Sequence, residues 1–286
     1  MIDLAVIPVA GRDTKLLPLT KSQPKEMLPV GRKPVVQYVV EELIRCDVHR
    51  LLFITGPDKS AIEDHFDINE ELIRHLRLTG QEDLLAELAF ERDEAEYCFT
   101  RQRHQLGLGH AVLCAEPFVG GNRFVVALGD TILGRRTPSN IVKRMVDLFE
   151  RNSGDIKGVI AFDEVPPEEV VHYGIAKPGA GRGDFFELED LVEKPSLEET
   201  PSNLAVAARY VFTPDIFQYL RRTEPGVGGK IQLTDAIRLL LHDNKKILGV
   251  RLPNGEERYD IGSFASYYRA FLDFAADGCC PKGPGT

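Results

Sequence analysis

No apolar run in the 286 residues approaches the roughly 20 that a membrane-spanning helix needs. The first strand begins at once, without the basic region and apolar stretch of a secretory leader, so a chain that is neither inserted nor exported is expected. Cysteine is scarce. Cys46, Cys98, Cys114, Cys279 and Cys280 form an odd set without metal-ligand spacing, and the adjacent last pair cannot readily bridge to itself. Free thiols in a reducing cytoplasm are the expectation. Positive charge is also in deficit: 35 Lys and Arg against 44 Asp and Glu leave a net charge of -9. The chain as a whole repels polyanions, which argues against general nucleic-acid binding. Neither the Walker spacing GxxxxGK followed by Ser or Thr nor a GxGxxG opening a helix occurs, which removes two common nucleotide-binding devices. With no internal repeat and no low-complexity linker, the length suits one large domain with a full core.

What is present is an alternation of apolar strands with helical periodicity. LAVIPV (4 to 9) reads as a strand, and PVVQYVVEELIRC (34 to 46) sets Val36, Val39, Val40 and Leu43 on one helical face. RLLFITG (50 to 56) returns as a strand, and that crossover implies parallel pairing. Two short helices broken at Gly80 follow, then strands at 95 to 102 and 123 to 130. The pattern is an open α/β sheet. The second half is less regular, with strands at 155 to 162 and 204 to 212, a hairpin candidate at GAGRG (179 to 183) and FELEDLVEKP after it. It reads as an extension of the sheet over the same site. Helices are expected at 231 to 243 and 263 to 276, with 277 to 286 a loose tail.

Ligands of such sheets bind on the loops that leave the carboxyl ends of strands. Three polar loops fall there: 10 to 25, 102 to 110, and Asp130 at a strand tip. The first is cationic. From Arg12 to Lys33 six basic residues stand against Asp13 and Glu26, a local excess of positive charge in an acidic protein. Glycine at 11 lets backbone amides approach a phosphate, and Pro18, Pro24 and Pro29 stiffen the segment. Charge alone leaves a solvated basic face equally open.

Taken as a whole, G-x-x-T-K-L-L-P-x-T-K-x-x-P-K-E-M-L-P directly after a first strand resembles the signature loop of the sugar-phosphate nucleotidyltransferases. Its PKEMLP ending resembles the bacterial UTP-glucose-1-phosphate uridylyltransferase branch. The resemblance continues in order through RQRHQLGLGHAVLCAE, ALGDTIL, HYGIA, VEKP, PSNLAVAARYVF, IQLTDAI and YDIG, over nearly the whole chain. It implies a Rossmann-like mixed sheet, predominantly parallel and flanked by helices, forming a single nucleotidyltransferase domain over residues 1 to 276. It further implies transfer of a uridylyl group from UTP to glucose 1-phosphate, in-line and assisted by Mg2+, in the cytoplasm. Oligomeric state is left open, a homo-oligomer included.

Carried over by position, Ala10, Gly11, Glu26, Gln102 and Gly107 resemble the nucleotide contacts. Lys15, Lys25 and Lys194 resemble the catalytic cations, Gly174 and Glu193 the sugar contacts, and Asp130 with Asp260 the metal pair. A hard divalent ion wants such oxygen ligands. Because neighbouring strand residues point to opposite faces, Glu193 and Lys194 can meet one ligand only across a bend or strand end. His110 is expected to be a structural residue at a helix start. Four positions depart from the family pattern: Asp13 replaces a glycine, Lys15 an arginine, Arg103 a glycine and Lys230 a glutamate. Asp13 would repel a triphosphate and Lys15 would lose a forked donor, so the loop is expected to be weakened. A catalytically impaired regulatory paralogue is therefore the alternative.

Overall fold

The computed structural model describes residues 2–278. Nine strands form one sheet: β1 (Leu4–Pro8), β2 (Arg50–Thr55), β3 (Glu96–Arg101), β4 (Phe124–Ala127), β5 (Ile156–Glu164), β6 (Gly174–Arg182), β7 (Phe185–Glu193), β8 (Leu204–Phe212) and β9 (Lys246–Arg251). Their spatial order is β3-β2-β1-β4-β8-β5-β9-β7-β6. β1 to β4 pair only in parallel with one another, as the crossover connections require. β8 then runs antiparallel to both β4 and β5, and β7 runs antiparallel to both β6 and β9. The sheet is mixed as expected: all pairing among β1 to β4 is parallel, and in the second half β9 pairs in parallel with β5 while the other pairings are antiparallel.

Side chains alternate across the pleat, so β1 feeds two cores. Ala5 and Ile7 join one, with Val36, Val39, Val40 and Leu43 of helix α1 (Val35–Arg45) and with Met145 and Phe149 of helix α2 (Ile141–Arg151). Leu4 and Val6 join the other, with Ile237 and Leu240 of helix α3 (Leu233–His242) and with Phe217. Strands buried on both faces read as continuous apolar runs, which is why LAVIP and LAVAARYVF carry almost no polar residue.

Several elements differ from their expected bounds. The hairpin turn is Gly183 and Asp184, after β6 has passed through most of GAGRG. α2, the helix Ile216–Arg222 and β9 carry no sequence-based expectation. In β9 the reason is local: Gly249 weakens a strand pattern, yet a Cβ there would lie 2.3 Å from the Phe186 ring. Helix α4 (Phe264–Gly278) continues two residues beyond 276, and the rest of the expected tail, with Cys279 and Cys280, lies outside the described residues.

Two irregularities shape the functional edge. β8 shifts register between Val206 and Tyr210, with Ala208 at φ 60°, and this bulge bends the strand so that Ala205 can also pair with Ile175 of β6. Beyond β4 a short ribbon pairs Thr131–Leu133 with Arg258–Asp260. Its register sets Asp260 opposite Thr131, while the Ile261 N–H donates to the carbonyl of Asp130 at 2.9 Å. Two acids 130 positions apart in the chain are thereby brought side by side.

Candidate active site

The loop after β1 folds as three single 3-10 turns, Thr14–Leu16, Leu19–Lys21 and Lys25–Met27. Their centre is Asp13, whose side chain is only 6% exposed. One carboxylate oxygen accepts from the backbone N–H of Lys25 at 3.1 Å and from the Lys59 ammonium at 2.8 Å. Lys59, itself buried, also donates to Glu26 at 2.9 Å. Asp13 therefore turns inward to a buried cation, and the expected repulsion of a phosphate is not built into this loop. It serves as the acceptor that fixes Lys25. Lys59 escaped sequence reading, although GPDKS at the carboxyl end of β2 was the signal that could have found it.

Lys25 points the other way. Its ammonium lies 2.5 Å from Asp130 and 3.9 Å from Asp13. Burial pulls down on its pKa, but the carboxylates of Asp130, Glu26 and Asp13 outweigh burial and raise it, so the lysine is held charged. Burial likewise pushes Asp130 up, and attraction and hydrogen bonding from Lys25 reverse that and lower it. Asp260 lacks such a close cation. Burial first, then the neighbouring Asp130, raises it to about 6, against weaker pulls from Lys25, Arg258 and Lys15. Glu26 is pushed up to about 7 by burial, opposed chiefly by Lys59. Lys15 is exposed on the side from which its charge reaches Asp260. Two adjacent carboxylates that repel each other are a waiting place for a cation. Among the described residues no group of three or more His, Cys, Asp and Glu side chains forms a metal cluster.

A cavity of about 420 Å³ opens over these groups. Ala10, Gly11, Lys25, Glu26, Gln102, Gly107, Asp130 and Lys194 all line it, which brings eight of the expected site residues to one space. Gln102 is buried and its amide group donates to the Gly107 carbonyl at 3.0 Å and meets the His110 ring at 2.9 Å. His110 thus supports Gln102 from within the helix Leu108–Leu113. Gly107 has φ 102°, and a Cβ on it would lie 2.7 Å from the Ile231 carbonyl. Loop 102 to 110 is stitched there by Ile231 N–H donating to Leu106 at 2.7 Å and by Gly109 N–H donating to Ile231 at 2.9 Å. Gln105, missed by sequence reading, donates to the Ala10 carbonyl at 2.7 Å and so ties this loop to the first.

Lys194 stands one residue past β7 with φ 48°, the bend expected for two neighbours that share a ligand. Its ammonium comes within 3.7 Å of Glu193. Glu193 accepts from the Thr234 hydroxyl at 2.8 Å, a partner supplied by IQLTDAI. A Cβ on Gly174 would come 3.3 Å from that hydroxyl and 3.5 Å from the Glu193 carboxylate, so glycine keeps this end open. Of the remaining departures, Lys230 lines the cavity. Arg103 lies in an adjoining cleft with Arg12 and His104.

A mixed sheet thus carries a cation-bearing loop, an acid pair at a strand tip and a second lysine, with Lys25, Asp130 and Lys194 lining one cavity. The chain belongs to the nucleotidyl transferase family, whose profile matches residues 4–277. It is 44% identical over 266 residues to a UTP–glucose-1-phosphate uridylyltransferase of Bacillus subtilis, covering 93% of this chain and 87% of that one. A UTP-bound enzyme of the same type from Acinetobacter baumannii is 36% identical with a TM-score of 0.87, covering 99% of this chain and 95% of that one. A UDP-glucose pyrophosphorylase complexed with UDP-glucose superposes with a TM-score of 0.86 at 34% identity, covering 97% of this chain and all of that one. Among the described residues no helix is long and apolar enough to cross a membrane.

Proposed function

We propose that the chain transfers the uridylyl group of UTP to a phosphate oxygen of glucose 1-phosphate, giving UDP-glucose and pyrophosphate. The observation that carries this reading is the convergence of Lys25, Asp130 and Lys194 on one cavity, with Asp260 beside Asp130 and Glu193 beside Lys194. In-line attack on the α-phosphorus needs no covalent enzyme intermediate. The work is alignment of two anions and neutralisation of charge.

The backbone at Ala10 and Gly11 approaches the triphosphate, and loop 102 to 110 receives the base through Gln102 and Gly107. Lys25, held charged and aimed by Asp13, draws negative charge from the reacting phosphates. Lys194 holds the sugar phosphate and Glu193 accepts from sugar hydroxyls, with Gly174 leaving room for the ring. Asp130 and Asp260 fit a divalent cation, Mg2+ in this reading, since both are oxygen donors and their mutual repulsion disappears when one is bound. Bound there, such a cation would supply charge neutralisation at the phosphates. In the protein alone Lys25 and Asp130 neutralise each other, and a cation–triphosphate complex offers each its complement. A cytoplasmic enzyme using soluble substrates belongs to the same reading.

The case for an impaired paralogue rests on Asp13 and Lys15, with Arg103 and Lys230 near the same site, and of these Asp13 is occupied with Lys59 and the Lys25 backbone. A pyrophosphate-release assay with UTP and glucose 1-phosphate, with magnesium present or chelated, tests the proposal. Metal-dependent turnover with both substrates is expected, and Asp130→Asn should remove most of it. Binding of UTP without any turnover would leave the regulatory reading standing instead.

A further inference from the structure

Arg209 is a guanidinium with no exposed surface in the middle of the molecule. The β8 bulge turns it into the core, where it meets Glu42 of α1, 167 positions away. Its Nε and one terminal nitrogen reach both Glu42 oxygens, at 3.3, 3.2 and 2.6 Å. The remaining donors go to backbone: the Thr131 carbonyl at 3.0 Å, the Ala208 carbonyl at 3.1 Å and the Leu128 carbonyl at 3.5 Å. Leu128 and Thr131 flank the turn that carries Asp130. We propose that Arg209, oriented by Glu42, is a positioning residue that clamps the turn 128 to 131 and so sets where Asp130 presents its carboxylate to the cation.

The inference rests on the reading of Asp130 as a metal carboxylate and goes beyond it to what holds that carboxylate in place. A buried ion pair is a poor source of stability, because apolar residues of the same volume do as well or better. A pair so deeply buried invites another use, and the guanidinium is suited to one. A planar fork of five donors can span two carbonyls three residues apart while staying neutralised by a carboxylate, whereas an ammonium cannot. Asp130 needs such support, since Asp260 repels it and Lys25 pulls on it from the opposite loop. Two further contacts brace the same turn: Leu128 N–H donates to Ala208 at 3.1 Å, and a Cβ on Gly129 would meet Val9 at 2.5 Å.

Arg209→Lys keeps the charge opposite Glu42 and loses the span across the turn. The test follows Mn2+ binding to the UTP-loaded protein by electron paramagnetic resonance, beside thermal unfolding and steady-state kinetics with Mg2+. The variant is expected to fold with a melting temperature lowered by several degrees, since buried carbonyls lose their donor, while its Mn2+ midpoint rises about tenfold, the usual size for loss of a group behind a metal ligand. Its kcat should fall and its KM for glucose 1-phosphate should hold. Should it not fold, the double variant Glu42→Leu with Arg209→Met removes the pair without stranding a charge, and the same shift is expected. An unchanged midpoint in a folded variant, with Asp130→Asn raising it, overturns the clamp and leaves the metal assignment intact. If Asp130→Asn leaves the midpoint unchanged, the metal assignment fails and the clamp falls with it.

Discussion

Asp13 shows how one residue can carry opposite meanings in sequence and in space. A carboxylate in a phosphate loop reads as repulsion until its partner is known, and the partner, Lys59, lies 46 positions away on the loop after β2. Replacing Asp13 by glycine deletes the acceptor for Lys25 N–H and leaves Lys59 with Glu26 alone. The expected outcome is a loss of about 1–3 kcal/mol, seen as a fall of several degrees in melting temperature. Catalytic efficiency with UTP should drop or stay level, and a gain would show that the carboxylate opposes the phosphates after all. Lys59→Met should cost more, about 3–5 kcal/mol, because two buried acids then share no cation. At the other end of the cavity Lys194→Ala should lower kcat/KM for glucose 1-phosphate by at least about tenfold, roughly the value of one lost charge-assisted hydrogen bond. Initial rates at varied glucose 1-phosphate check this.

Elements, more than single residues, decide which side chains meet. β7 ends where Lys194 enters the left-handed region, and its ammonium comes within 3.7 Å of the neighbouring Glu193 carboxylate. The loop from Gln102 to His110 depends on Gly107, whose positive φ brings the backbone against Ile231. Gly107→Ala forces a Cβ into the Ile231 carbonyl, so the loop must move and Gln102 with it. The expected result is a KM for UTP raised by an order of magnitude or more, about 1.4 kcal/mol of lost binding, measured in the pyrophosphate-release assay. Elements that escaped sequence reading share a cause. β9 carries a glycine that only the Phe186 ring explains, and α2 has an apolar face that no motif drew attention to.

At the scale of the molecule, a net charge of -9 surrounds a cavity into which Lys25, Lys194 and Lys230 project. Attraction of a polyanion is therefore local, and salt screens it over roughly 10 Å at 0.1 M. Raising potassium chloride from about 0.05 to 0.5 M should increase KM for UTP severalfold while changing kcat much less. A salt-independent KM would mean that the lysines are already neutralised by their own carboxylates. Much of this organisation is legible in one dimension. Buried parallel strands announce themselves as apolar runs, α1 by its helical stripe, and the loops at the carboxyl edge by glycine, proline and lysine, because each is a local pattern of solvent preference and backbone freedom. What folding alone decided is pairwise and distant. Asp13 finds Lys59, Asp130 lies beside Asp260, and Glu42 meets Arg209 through a bulge in β8. Coulomb attraction depends on the separation of charges in space, and buried charges demand partners, so only the packed sheet could turn an acid in a phosphate loop into the residue that steadies it.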